Sequence, residues 1–305
     1  MAPRRFGSGL SRFAVTAGAA SVAGLAWGFG YEVRSFRLRR VDVPVLSAGS
    51  DPLRVLHLSD LHLVPRQRRT VEWVRGLAAL EPDLVVDTGD NLAHLGAVPT
   101  VLEALEPLLE FPGAFVLGSN DYFAPRAKNP AAYLGGPSKV FRTSTALPTD
   151  DLVDGLVAGG WRDLTNARTT LQVAGRRVDL VGVDDPHIGR DDHAAVSRPA
   201  DPDADLTLGV THAPYLRVLD AMTADGADVV LAGHTHGGQL CVPLYGALVT
   251  NCDLPTRCAK GLNPWSAGGR RTWLHVSAGL GTSPYARARF ACPPEATLLT
   301  LVPRA

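Results

Sequence analysis

Two histidines one residue apart, His234 and His236, follow the apolar run Val229–Ala232 and sit among Gly233, Gly237 and Gly238. In an extended segment residues i and i+2 point the same way, so both imidazoles can address one point. The glycines let the backbone turn and come close to whatever sits there. Taken alone, such a pair fits a solvated loop as well as a ligand pair. Upstream the pattern repeats: Asp60 and His62 follow the run Leu53–Leu58 with the same spacing. That places a carboxylate and an imidazole at a strand's end, where α/β proteins put their sites. Asp90 follows residues 84–86 and Gly89. Its two oxygens can bridge two cations; a helix cap by Asp90 or Asn91 is the bland alternative, but it does not explain the repeated pattern. Residues 114–117 lead into Gly118-Ser-Asn-Asp-Tyr122, which carries Asn120 and Asp121, and Leu206–Thr211 ends in His212. His212 is either a satisfied core histidine or a further ligand, and its place at another strand end favours the ligand. Asp184, Asp185 and His187 can border the same pocket, with turn formation by Asp-Asp-Pro as the expected role. His94 reads as a surface residue.

The elements that must carry these residues alternate in character. Strands are predicted at Leu53–Leu58, 84–86, 114–117, 169–173, 176–183, Leu206–Thr211, Val229–Ala232, 272–277 and 296–302. Helical spacing predicts helices over 70–80, over 98–111 with an end or kink at Pro107, and over 150–158 with a stop at Gly159-Gly160. The Pro-, Gly- and base-rich stretch between Tyr122 and Pro148 is expected to be a long excursion over the site.

At 305 residues and 46% hydrophobic content the chain can bury a substantial core, as one large α/β domain or two small ones. A formal net charge of zero offers no field for nucleic acid, and 20% charged residues argue against gross disorder. The four cysteines show no C-x-x-C spacing, which argues against a structural zinc ribbon. Cys252 and Cys258 bracket a short loop; they are a disulfide in an oxidising compartment or ordinary thiols elsewhere. Residues 1–12 carry Arg4, Arg5 and Arg12 without an acid, and residues 13–30 then run eighteen positions without a charge. Residues 1–31 therefore read as a basic N-terminus with a membrane anchor or export signal. An uncleaved anchor is favoured by Trp27 and Tyr31, which fall where an interfacial aromatic belt would lie. Residues 32–52 read as an extended lead-in and 53–305 as the catalytic domain.

Together, Asp60-x-His62, Gly89-Asp90, Gly118-Ser-Asn120-Asp121, His212 and Gly233-His-Thr-His236 resemble the calcineurin-like metallophosphoesterases, in the order that family uses. The resemblance covers roughly residues 53–301. Gly279-Leu-Gly-Thr-Ser283, Arg287 and Pro294-Glu295 further resemble the membrane-associated bacterial branch, which includes enzymes acting on lipid-linked or envelope phosphates. The resemblance implies an α/β fold, a four-layer α/β/β/α sandwich, here preceded by an N-terminal apolar helix. It implies that Asp60, His62 and His236 hold one divalent metal ion, that Asn120, His212 and His234 hold a second, and that Asp90 bridges them. Imidazole and carboxylate ligands suit Mn, Fe or Zn. Such a pair, about 3.5–4 Å apart, polarises the phosphoryl oxygens and activates a water for in-line attack. The implied partners are a phosphorylated small-molecule or lipid substrate and a membrane, with no nucleic acid. Where the family reads Gly-Asn-His-Asp, this chain has Gly118-Ser-Asn-Asp, so the family's catalytic histidine is missing. A one-residue slip keeps Asn120 as ligand, because an amide oxygen outcompetes a neutral serine hydroxyl, and sets Asp121 beside the leaving group. The missing acid predicts a preference for leaving groups that need little protonation. A metal-binding interaction module is the alternative from another class.

Overall fold

The computed structural model describes residues 22–127 and 144–304. Two six-stranded sheets form its centre. The first has the order β1-β14-β2-β3-β4-β5, with β1 at Arg37–Leu46, β2 at Leu53–Leu58, β3 at Leu84–Asp87, β4 at Gly113–Phe115, β5 at Arg162–Asp163 and β14 at Glu295–Pro303. The second has the order β12-β13-β9-β8-β7-β6, from β6 at Arg168–Val173, β7 at Arg176–Gly182, β8 at Leu206–Thr211, β9 at Val229–Ala232, β12 at Gly261–Ala267 and β13 at Arg270–Val276. A two-stranded hairpin, β10 at Cys241–Val242 with β11 at Gly246–Ala247, stands apart from both.

The strands β2 to β5 run parallel, as do β7, β8, β9 and β13. Parallel strands covered on both faces are near-continuous apolar runs, and all residues of β3, β8 and β9 are buried. Between the sheets lies a core that takes Val55 and Val86 from one and Val178, Leu208 and Leu231 from the other. Helices cover the outer faces. On the first sheet, Arg68–Arg75 buries Val71 and Val74, Val98–Leu105 buries Val101 and Leu105, and Thr149–Ala158 buries Leu152 and Leu156. On the second, Leu216–Asp225 buries Val218, Leu219 and Met222. The layers are thus helix, sheet, sheet, helix. Pro107 turns the end of its helix into the 3-10 segment Glu106–Leu108 rather than leaving it α-helical to 111.

The extended lead-in is itself a strand. Its ten-residue strand β1 pairs in parallel with β14 along the edge of the first sheet. Of the expected N-terminal apolar helix, residues 1–21 lie outside the described residues, and Ala26–Tyr31 is a π-type helical turn. Among the described residues no helix is long and apolar enough to cross a membrane. Residues 128–143 of the expected excursion also lie outside the described residues. All four cysteines, Cys252 and Cys258 included, are free thiols.

Candidate metal centre

The loops that leave the carboxyl ends of β2, β3 and β4 in one sheet and β8 and β9 in the other converge. Asp60, His62, Asp90, His212, His234 and His236 are all on them, and all but His236 are buried. His62 Nε2 lies 3.1 Å from His236 Nε2 and 3.5 Å from Asp90 Oδ2. His236 Nε2 lies 3.5 Å from Asp60 Oδ1, and His212 Nε2 lies 3.5 Å from Asp90 Oδ2. These atoms form two overlapping groups with ligand spacing, Asp60 with His62 and His236, and Asp60 with Asp90 and His212.

The convergence does not arise as strand alternation would produce it. Asp60, His62, Asp90, His234 and His236 all have positive φ, between 43° and 69°. The pairs at 60/62 and 234/236 are therefore not extended segments. They are turns beyond the strand ends, held in the left-handed region that costs a non-glycine residue about 1 kcal/mol or more. The turn also separates the two late histidines: His236 stacks on His62 with ring centroids 4.9 Å apart, whereas His234 meets His212 at 5.2 Å. They do not share a strand face.

The surrounding hydrogen bonds orient the ligand atoms. Ser59 Oγ and the His234 N–H donate to Asp60 Oδ2, at 2.6 Å and 3.0 Å, leaving Asp60 Oδ1 buried and without a partner. His212 Nδ1–H donates to the Thr88 carbonyl at 2.7 Å, leaving Nε2 buried, unpartnered and directed at Asp90. A ligating histidine whose other ring nitrogen is bound to a carbonyl is the usual outer-shell arrangement. His234 Nε2 sits 3.1 Å from the Asn251 carbonyl, which leaves Nδ1 as its candidate ligand atom. Orphaned acceptor atoms in a buried set of carboxylates and imidazoles fit a divalent cation of the Mn, Fe or Zn type.

Electrostatics agree with that fit at three of the four imidazoles and not at His212, whose ring, against the effect of burial, Asp90 holds well above its ordinary range. Burial pushes the His62 and His236 imidazoles below their ordinary range, with the neighbouring ring and Arg289 adding to the effect at His236. Burial and His187 push His234 down to about 3. Neutral imidazoles are the metal-binding form. Against the cost of burial, His212 and His62 hold the Asp90 carboxyl well below the usual carboxylate range.

Asn120 and Asp121 part company. The Asn120 N–H donates to Asp90 Oδ1 and its side-chain amide to Asp90 Oδ2, both at 2.7 Å, so Asn120 lies on the cluster. Asp121, expected beside the leaving group, is instead fully buried and engaged by backbone amides. Its Oδ1 accepts from Asn91 at 2.7 Å and Leu92 at 3.2 Å, and its Oδ2 from Asp90 at 2.8 Å and Gly118 at 2.9 Å. A carboxylate with all four acceptor positions filled braces a loop and has no lone pair left for substrate. Asp185 accepts from the His187 N–H at 2.8 Å, the expected turn role, and His94 is exposed.

Several residues that matter here carry no signal in the motif pattern. Arg289 is fully buried and donates to the carbonyls of Ala278, Gly279, Gly281 and Cys292 behind His236. His187, by contrast, is one of the residues expected to border the pocket, and it packs its ring 4.5 Å from that of His234. Across the sandwich, His57 Nδ1 of β2 meets His275 Nδ1 of β13 at 2.8 Å, and His57 Nε2 meets Thr88 Oγ1 at 3.0 Å. Glycine is required where the loops press together: a Cβ on Gly118 would lie 2.7 Å from His212 Cε1 and closer still to Asp90 Oδ1.

A two-sheet sandwich that gathers carboxylates and imidazoles at the ends of both sheets' parallel strands is the framework of a metal-dependent hydrolase. The chain belongs to the calcineurin-like phosphoesterase family, whose profile matches residues 53–238. It is a phosphoester hydrolase of that family, for which divalent metals are the usual cofactors. It is 25% identical to the metallophosphoesterase YkuE of Bacillus subtilis over 99% of this chain and 98% of that protein. It is 29% identical to phosphodiesterase YaeI of Escherichia coli over 90% and 93% of the two chains. It is 28% identical to a bovine transmembrane protein with a metallophosphoesterase domain, over 78% of this chain and 51% of that one.

Proposed function

We propose that the chain hydrolyses phosphodiester or pyrophosphate bonds of lipid-linked or envelope substrates. The observation that carries the hydrolytic part is the pair of atoms without a hydrogen bond, Asp60 Oδ1 and His212 Nε2, grouped with Asp90 at ligand spacing in a buried cluster. Asp60, His62 and His236 would hold one divalent ion, and Asn120, His212 and His234 a second, with Asp90 available to both. Divalent ions bound there supply charge neutralisation for the phosphoryl oxygens and lower the pKa of a water nucleophile. The chain's own contribution is to fix the ligand atoms: Ser59 orients Asp60, Thr88 orients His212 and Asn251 orients His234. Bond class follows from what the Gly118–Tyr122 turn lacks. It presents Asn120 to the cluster and no histidine, so leaving groups that need little protonation are favoured. The lipid-linked reading is supported by the apolar stretch at residues 13–30 and by a bovine relative named as a transmembrane protein, and the phosphodiester bond class by the name of YaeI.

The test combines metal content with turnover. Manganese- or zinc-loaded enzyme is expected to cleave a bis-nitrophenyl diester at least about 100-fold faster than an alkyl phosphomonoester, a typical size for the contribution of general-acid assistance. In Asp90→Asn, both metal occupancy and turnover should collapse. Metal bound without turnover on any ester class would favour the interaction module, and equal rates on both substrates would refute the leaving-group argument.

A further inference from the structure

The exposed large apolar side chains concentrate in one place. On the β10–β11 hairpin, Leu244 is fully exposed, Tyr245 is 74% exposed, and Leu240 and Val242 are about half exposed. On the N-terminal turn, Trp27 and Phe29 are about half exposed as well. Backbone pairing holds the two groups side by side. The segment 288–292 receives the hairpin on one side, through Phe290 N–H to Gln239 at 3.0 Å and Cys241 N–H to Phe290 at 2.8 Å. Arg289 N–H donates to Gly28 at 3.1 Å, and Glu32 accepts from the Cys292 N–H at 2.6 Å and from Trp27 Nε1 at 2.6 Å. One continuous face therefore carries both.

The charge on this face is one-sided. Residues 22–31, 239–250 and 281–292 contain no aspartate or glutamate, and Arg34 and Arg287 lie exposed beside them. A protruding apolar tip with a basic, acid-free rim complements an anionic bilayer surface. It suits a second copy of the chain poorly, because a two-fold contact would set the same arginines against each other. Trp27 and Phe29 of this face belong to the uncharged sequence 13–30. The hairpin is also tied to the metal centre at both ends: Gln239 follows His236-Gly-Gly, and Asn251 beyond the hairpin holds His234.

We infer that the hairpin tip and the N-terminal turn form a docking surface for anionic lipid headgroups. Docking there sets the metal-ligand loop 234–238 at the level where a membrane-embedded substrate exposes its phosphate. This rests on the lipid-linked reading above, and it adds the surface by which that substrate is reached. The assay is co-sedimentation of the full chain with phosphatidylglycerol and phosphatidylcholine vesicles, alongside turnover of a soluble nitrophenyl diester. The double variant Leu244→Asp/Tyr245→Ser removes the tip without touching the site. It should weaken binding to phosphatidylglycerol vesicles on the order of 10- to 100-fold and leave soluble turnover unchanged. An environment-sensitive fluorophore on Leu244→Cys should shift to the blue with these vesicles, which separates tip insertion from anchoring by residues 13–30. Unchanged binding with no blue shift overturns the inference. So does a wild-type dimer that the double variant converts to monomer without vesicles. Loss of soluble turnover in the wild type would instead refute the hydrolase reading, whatever the vesicles show.

Discussion

Replacing Asp121 by Asn tests whether the carboxylate is a brace or an acid. Burial and the Asp90 charge push this carboxyl up, to about 8, while the Gly118 and Asn91 N–H groups pull it back. With each oxygen accepting two N–H donors between 2.7 and 3.2 Å, the geometry accommodates the ionised form. In Asp121→Asn one oxygen becomes an amide NH2, so two buried backbone donors face a donor. Each buried donor left unsatisfied costs about 1–3 kcal/mol, and some relaxation brings the total to about 3–4 kcal/mol. At roughly 2–4 °C per kcal/mol for a large domain, the expected fall in Tm is on the order of 10 °C. Thermal melts followed by circular dichroism, with chelator present so that bound metal does not contribute, read this directly. The complementary readout is kcat across nitrophenyl, phenyl and alkyl esters. A brace lowers all rates together through misplaced Asp90, and the dependence on leaving-group pKa keeps its slope. A Tm within about 1 °C of wild type, with selective loss on the poor leaving groups, would show that Asp121 is an acid and refute the reasoning.

Gly118 has an ordinary φ of −110°, so Gly118→Ala is a purely steric probe. Its methyl group would press on Asp90 and His212, and metal affinity measured by titration calorimetry should fall about 10- to 100-fold, as for other outer-shell lesions. The His57–His275 pair predicts a stability-versus-pH signature. Burial holds His275 down at about 4, and burial with His275 holds His57 well below 6.5, so both are neutral in the folded protein. Below pH 6.5 the unfolded chain takes up protons that the folded one refuses, so stability is lost as pH falls from about 6.5 to about 4. Each group adds a slope approaching 1.4 kcal/mol per pH unit. Urea denaturation at pH 7.5, 6 and 5 should show a shallower dependence in His275→Leu, and identical slopes would remove the pair from the explanation.

Much of the architecture is legible because buried parallel strands are plain apolar runs. Leu53–Leu58, Leu206–Thr211 and Val229–Ala232 have the bounds that their composition indicates. What escapes is set by distant partners. The lead-in reads as extended, but its partner is not legible: β14, more than 250 residues later, is the strand it pairs with. Gly261–Ala267 contains a glycine and a proline and lacks clean alternation, yet it pairs along its length with β13 at the edge of the second sheet. The ligand motifs show the same division more sharply. The residues that converge are those whose types and order suggest it, but period-two alternation is not what brings them together. Asp60, His62, Asp90, His234 and His236 leave the strands in left-handed turns. Those turns are held by contacts that a local reading does not contain. The Gly279–Gly281 loop backs Asp60, with Leu280 N–H donating to the Ser59 carbonyl and Gly281 N–H to the Asp60 carbonyl, and Asp121 pins residues 90–92 from thirty residues away. At about 1 kcal/mol or more per residue, these five residues carry strain that the sandwich must offset. Chemistry-bearing side chains sit where the chain departs from regular structure, so periodicity finds the strands that lead to them and says least about the geometry of the residues themselves.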